Sequence, residues 1–260
     1  MIMAQVRCQQ QLIAPVAAII FDKDGTLADS REFLRQLAIA RAEMITQSVV
    51  GSLPLWPSAL IEMLLARVGV TAGGLDPDGL MAVGTRQANV DAATAVLTQA
   101  GYPMNQAFEL VVQAFVQVDQ QRQGKAVSTP PYGGTQGLLQ RLKHSVIQVG
   151  VLSSDSSAYV KEFLDHYGLT PWVDQWQGTD AGDAPKPDPT LFYGLCDRLQ
   201  VIPSHTIIVG DSWVDRSLAI HGGAMFISVS EPWGRSPVPG ANLVLHSWDD
   251  LQVDESPVDD

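Results

Sequence analysis

The apolar run Val16-Ala17-Ala18-Ile19-Ile20-Phe21 ends in Asp22-Lys23-Asp24-Gly25-Thr26-Leu27. Six apolar residues bounded by polar ones fit a buried strand. Two carboxylates, one residue apart, stand where that strand stops and a glycine-containing turn begins. Like charges at ~4 Å and an effective dielectric of ~20 repel by roughly 4 kcal/mol. A chain tolerates such a pair where a cation or a shared proton offsets the repulsion. The hexapeptide therefore points to chemistry at the end of a core strand.

The 260 residues suffice for one sizeable core or two unequal ones, and a content of 46% hydrophobic against 17% charged residues is that of a folded chain. The formal charge of −12 argues against nucleic acid or an anionic membrane as partner. It leaves room for an anionic substrate held by a metal ion and a lysine. Two cysteines, Cys8 and Cys196, lack metal-ligand spacing and suit a reducing, cytoplasmic compartment. No apolar run reaches the ~18 residues that span a bilayer. Nothing in the sequence specifies an oligomeric state.

Residues 1–14 are Gln-rich and are expected as a loose N-terminal extension. The strand Val16–Phe21 follows. Asp29, with Glu32 three residues on, reads as a capping box for a helix. From Arg31 to about Arg122 the periodicity is helical throughout: a first stretch around Leu34 to Ala42, then 59–68, 80–100 and 106–121, with no strand signal. Residues 123–134 read as a loop. Beyond it helix and strand signals alternate: helix 135–143, strand 146–152, helix 158–167, helix 190–199, strand 206–209, helix 214–221, strand 225–229 and a short strand 243–245. That alternation predicts an α/β fold, a Rossmann-like parallel sheet with helices on both faces. The domain reading places residues 15–30 and 126–260 in the α/β core and 31–125 in a helical insertion after its first strand.

Ligands of open parallel sheets bind beyond the carboxyl ends of the strands. Strand 16–21 ends in Asp22 and Asp24, strand 146–152 in Ser153 and Ser154, and strand 206–209 in Gly210-Asp211-Ser212, with Asp215 a helical turn on. Lys186 sits among Pro185, Pro187 and Pro189 in a rigid loop. Each residue alone has an ordinary role: turn acid, helix cap, solvated lysine, first-turn acid. Their joint placement at strand ends does not.

Asp-Lys-Asp-Gly-Thr-Leu, a strand-ending Ser153, Lys186-Pro187-Asp188-Pro189 and Gly210-Asp211-Ser212-Trp213-Val214-Asp215, in that order, resemble the haloacid dehalogenase (HAD) superfamily. The resemblance implies a HAD-like core with 31–125 as an α-helical cap of the kind found in phosphoglycolate phosphatases and β-phosphoglucomutases. It implies Asp22 as nucleophile, forming an aspartyl-phosphate. Asp24 would protonate the leaving alcohol and then activate water. Ser153, Ser154 and Lys186 would bind phosphate, Lys186 also balancing charge on Asp22. Mg²⁺ would be held by Asp22, the Asp24 backbone carbonyl and Asp211, with Asp215 orienting that shell directly or through water. Such a set suits phosphoryl transfer, which relies on positioning and charge neutralisation, and a hard, oxygen-preferring ion. Lys23, between the two acids, is expected to point away from the site. Arg31, Arg35, Arg67 and Arg86 in the insertion fit solvated helix faces better than substrate ligands.

Dehalogenases of this superfamily lack the second acid, so Asp24 implies a phosphate ester with an alcohol to protonate. The expectation is a Mg²⁺-dependent phosphomonoesterase acting on a small organophosphate, phosphoglycolate phosphatase-like. A phosphomutase of the β-phosphoglucomutase type is the enzymatic alternative. A non-catalytic regulatory or binding protein on the same fold is the alternative of another class.

Overall fold

The computed structural model describes residues 3–8, 11–121, 124–230, 234 and 236–254. Strands β1 (Ala4–Cys8), β2 (Gln11–Val16) and β3 (Ala18–Phe21) open the chain, followed by helix α1 (Arg31–Ser48). Next come α2 (Pro57–Arg67), β4 (Val70–Thr71), β5 (Gly74–Leu75), α3 (Leu80–Val83), α4 (Arg86–Gln99) and α5 (Met104–Gln121). The remainder is α6 (Thr135–Lys143), β6 (Gln148–Leu152), α7 (Ser157–His166), β7 (Gln175–Gln177), α8 (Thr190–Leu199), β8 (Thr206–Gly210), α9 (Trp213–Gly222), β9 (Met225–Val229), β10 (Leu243–Leu245) and β11 (Leu251–Asp254). The chain divides into two compact units, Met1–Asp29 with Thr129–Asp260, and Ser30–Ser128.

The first unit is built on a parallel sheet of order β10-β9-β8-β3-β6-β7. β3 lies inside it, buried at all its positions, because strands covered on both faces have no polar side to offer. Phe21 is level with Val151 of β6 and Val209 of β8, so these strands end together and Asp22 emerges between them. Ile20 and Ile208 pack with Phe192, Leu195, Leu218 and Phe226, which places α8 and α9 on one face. Phe21 points to the other. There its ring meets that of Trp248 edge-on at 5.9 Å, and the Trp248 indole N–H donates to Thr135 Oγ1 of α6 at 3.2 Å.

The expectation of a loose extension over 1–14 is corrected. Within the described residues, β1 pairs antiparallel with both β2 and β11 in a second sheet. Alternation of buried and exposed positions along Ala4–Cys8 gives it one apolar face, and the Gln-rich composition concealed this. The core strand accordingly begins at Ala18 rather than Val16. β7 and β11 also lay outside the sequence expectations.

In the second unit, α1, α2, α4 and α5 share a core that includes Ile45, Leu60, Leu64, Leu97, Val111 and Phe115. Three expectations change here. The capping box at Asp29 is absent: Ser30 is the N-cap residue, without a side-chain cap bond, and Glu32 instead accepts from Arg35 and Gln36. The single helix over 80–100 is broken at Gly84, whose extended backbone leads into Thr85; the Thr85 side chain accepts from the Ala88 N–H and starts α4 afresh. A two-residue hairpin, β4 with β5, occupies a stretch read as wholly helical. Among the described residues no helix is long and apolar enough to cross a membrane.

Trp248 is 4% exposed and ties α6 to β3 immediately before Asp22. Trp248→Ala is expected to destabilise the protein by about 3–5 kcal/mol. Urea unfolding followed by far-UV circular dichroism, with the denaturant slope unchanged, is the measurement that checks it.

Candidate active site

The turn after β3 is wound around one carbonyl. The Lys23 C=O accepts from the N–H groups of Thr26, Leu27 and Ala28 at 2.8–3.3 Å, and the Gly25 N–H donates to the Ala28 C=O at 2.8 Å. Gly25 is required twice over. Its φ is +85°, and a Cβ there would lie 2.2 Å from Asp211 Oδ2. The turn thus brings the first loop into contact with the loop that follows β8.

That second loop is set by a capping box. The Ser212 side chain caps α9 by accepting from the Asp215 N–H, and Asp215 Oδ2 accepts from the Ser212 N–H at 3.3 Å and hydroxyl at 2.6 Å. Ser212 was missed from sequence although Ser-x-x-Asp at a helix start is a recognisable signal. The cap leaves Asp215 Oδ1 for Lys186. The Lys186 ammonium donates to Asp215 Oδ1 at 2.9 Å and to Asp22 Oδ1 at 2.7 Å. Asp22, Asp211 and Asp215 each present a carboxylate oxygen, all within 4.8 Å of one another. The sequence reading placed Asp215 behind the metal shell; here its carboxylate stands level with the other two and also bonds the lysine.

Asp22 and Lys186 are each 8% exposed, Asp211 7% and Asp215 1%. Burial pushes the Asp22 carboxyl well above the usual carboxylate range, and Asp215 and Asp211 push the same way, while Lys186 opposes them. Burial acts to lower the Lys186 ammonium, but Asp215 and Asp22 outweigh it and hold that group above its ordinary value. Among the described residues, the Lys186 ammonium bonds two of these three carboxylates. The donor set of the cluster is all hard oxygen, at a spacing one ion can bridge. These residues fit a divalent cation.

The other predicted residues lie at the same sheet edge. Ser153 ends β6 and is buried; its N–H donates to the Gln177 carbonyl of β7, and its Oγ accepts from the Asp155 N–H at 3.1 Å. Ser154, next in line, is exposed. Asp24 departs from the acid cluster, because its Oδ2 lies 2.7 Å from the Lys23 ammonium. Lys23 is therefore no outward-facing spacer. It is 1% exposed and also pairs with Asp155 at 2.9 Å. Neither Lys23 nor Asp155 was read from sequence as part of the site. In the helical unit, Arg35 pairs with Glu32, and Arg86 shares Asp119 with a buried cation that sequence reading passed over, Arg41. Burial pushes both cysteine thiols up to about 11, so neither offers a thiolate nucleophile at neutral pH.

The family model of haloacid dehalogenase-like hydrolases matches residues 16–223. The chain belongs to that family. It is an enzyme of phosphatase type, similar over most of its length to phosphoglycolate phosphatases. A phosphoglycolate phosphatase of Caulobacter vibrioides is 28% identical over 238 residues, covering 90% of this chain and 89% of the relative. Among solved structures, a predicted phosphoglycolate phosphatase from Haemophilus somnus superposes with a TM-score of 0.62 at 19% identity, over 90% of this chain and 96% of that one. A HAD phosphatase from Thermococcus onnurineus gives 0.59 at 19% identity, over 90% and 95%. Both share the fold of this chain.

Removing the Lys186 charge leaves two buried carboxylates without their counter-ion. Lys186→Met is expected to cost about 3–5 kcal/mol at pH 7 in EDTA. The deficit should shrink as the pH falls, because the Asp22 carboxyl takes up a proton and no longer needs the ammonium. Urea unfolding at pH 7 and pH 5 checks both size and sign.

Proposed function

We propose that this hydrolase is a Mg²⁺-dependent phosphomonoesterase acting on a small organophosphate, phosphoglycolate foremost, through an aspartyl-phosphate on Asp22. The observation that carries the reading is the cluster of Asp22, Asp211 and Asp215 carboxylates at the carboxyl edge of the sheet, with the Lys186 ammonium bonded to Asp22 and Asp215. The curated relatives named as phosphoglycolate phosphatases support the substrate class.

Asp22, Asp211 and Asp215, with the Asp24 backbone carbonyl, would hold Mg²⁺. When bound, the ion supplies positive charge that offsets the three carboxylates and the phosphoryl oxygens. Lys186 binds Asp22 Oδ1, fixes the nucleophile and neutralises charge as the phosphoryl group arrives. An Asp22 carboxylate oxygen attacks phosphorus, the P–O ester bond breaks, and the ester oxygen leaves as an alcohol with a proton from Asp24. Asp24 then takes a proton from water as that water's oxygen attacks the phosphorus of the acyl phosphate. The P–O bond to Asp22 breaks, inorganic phosphate leaves and the carboxylate is restored. Ser153, with Ser154 beside it, donates to phosphoryl oxygens. Residues 31–125 belong to this reading as the inserted helical cap.

A phosphate-release screen over 2-phosphoglycolate, sugar phosphates and nucleotides, compared by kcat/KM, is expected to rank 2-phosphoglycolate first. EDTA should abolish turnover and Mg²⁺ restore it. Asp22→Asn should reduce turnover by several orders of magnitude while remaining folded. Conversion of β-glucose 1-phosphate to glucose 6-phosphate without free phosphate would overturn the reading in favour of a mutase.

Mg²⁺ at about a hundred times its dissociation constant should raise the stability of the wild type by about 2.7 kcal/mol. Asp211→Asn should lose most of that gain, as read by thermal unfolding with and without the ion.

A further inference from the structure

Lys23 is the least exposed of the described lysines and arginines, at 1%. An ammonium in that position costs desolvation and side-chain entropy that an apolar residue would not. Two carboxylates from different segments offset the cost. The Lys23 Nζ is 2.7 Å from Asp24 Oδ2, on the turn after β3, and 2.9 Å from Asp155 Oδ2, on the turn after β6. The Phe163 ring lies beneath it, with the centroid at 5.5 Å.

Asp155 is itself anchored to the Ser153 loop. Its N–H donates to Ser153 Oγ at 3.1 Å, and its carbonyl accepts from the Thr179 N–H at 2.7 Å. The Thr179 hydroxyl returns to the Ser153 carbonyl at 3.1 Å. A continuous chain of polar contacts thus runs from Ser153 through Asp155 and Lys23 to Asp24.

We infer that Lys23 is a positioning residue, which grips Asp24 by Oδ2 and holds its carboxyl in register with the Ser153 loop where the phosphoryl group is received. The inference rests on the phosphatase reading, in which Asp24 gives its proton to the ester oxygen as the P–O bond breaks. Lys23 touches neither substrate nor the attacking oxygen; it sets where the proton donor stands. In the first half-reaction, the one kcat/KM reports, a misplaced donor matters only for a leaving group that must be protonated.

The experiment compares kcat/KM for p-nitrophenyl phosphate, whose nitrophenolate leaves unprotonated, with that for an alkyl ester. The ester is whichever of 2-phosphoglycolate, glycerol 3-phosphate and glucose 6-phosphate the wild type turns over fastest. Lys23→Met, which keeps the length and removes the charge, is expected to lower the alkyl value about 10²-fold while the aryl value changes little. Asp24→Asn should lower the alkyl value further than Lys23→Met does, and more than it lowers the aryl value. Equal losses on both esters, or no loss on the alkyl ester, would overturn the inference, since a merely structural role moves both together. Should Lys23→Met fail to fold, Asp155→Asn keeps the Lys23–Asp24 pair and cuts its anchor. A smaller loss with the same selectivity supports the inference, and a loss equal on both esters or absent overturns it. A wild type that hydrolyses none of the esters overturns the phosphatase reading itself, a result distinct from any behaviour of the variants.

Discussion

The ammonium of Lys186 between Asp22 and Asp215 is the contact on which the arrangement of the site depends. Asp22 is buried at the end of a central strand, where an ionised carboxyl is costly. Asp215 is almost wholly buried at the first turn of α9. Neither position is tenable for a charge without a nearby cation, and the lysine would be equally untenable without them. The prolines on both sides of Lys186 limit the backbone freedom lost in placing it. Asp215 uses its second oxygen on Ser212, so the start of a helix and the setting of Lys186 against Asp22 are fixed by one carboxyl group.

The site has a second buried lysine arranged on the same plan. Lys186 joins Asp22 to the first turn of α9, and Lys23 joins Asp24 to the loop after β6. Each ammonium holds two carboxylates from segments that meet only in the folded sheet. The two acids of Asp22-Lys23-Asp24 are thereby drawn to different partners, which relieves their mutual repulsion. The carboxylates of Asp22, Asp211 and Asp215 gather on the other side, where a cation fits.

Much of this was legible in the sequence because the physics is local. β3, β6, β8 and β9 are apolar runs of strand length, and the residues ending the first three carry the site. Other elements were hidden. β7 is the polar triplet Gln-Trp-Gln at a sheet edge, with no apolar period to read. β1 lies between β2 and β11, and no local window of sequence contains its pairing with β11 at the far end of the chain. Lys23 was misplaced for another reason. Strand alternation sends it away from Asp22, but the turn that closes on its own carbonyl brings Asp24 round to the same side. Side-chain direction in a tight turn follows backbone geometry that residue order does not disclose.

The insertion of the helical unit between β3 and β6 has a consequence for synthesis of the chain. β3 needs β6 and β8 beside it, yet roughly 130 residues separate β3 from β6; at about 5–20 residues per second on the ribosome, β3 waits some 6–25 seconds for that neighbour. The contacts of the unit 30–128 lie mainly within its own stretch, so it completes its core during the wait. Ala18 to Phe21 is meanwhile an apolar strand without the neighbours β6 and β8. Slower elongation through the insertion lengthens the interval in which that strand stands unpaired.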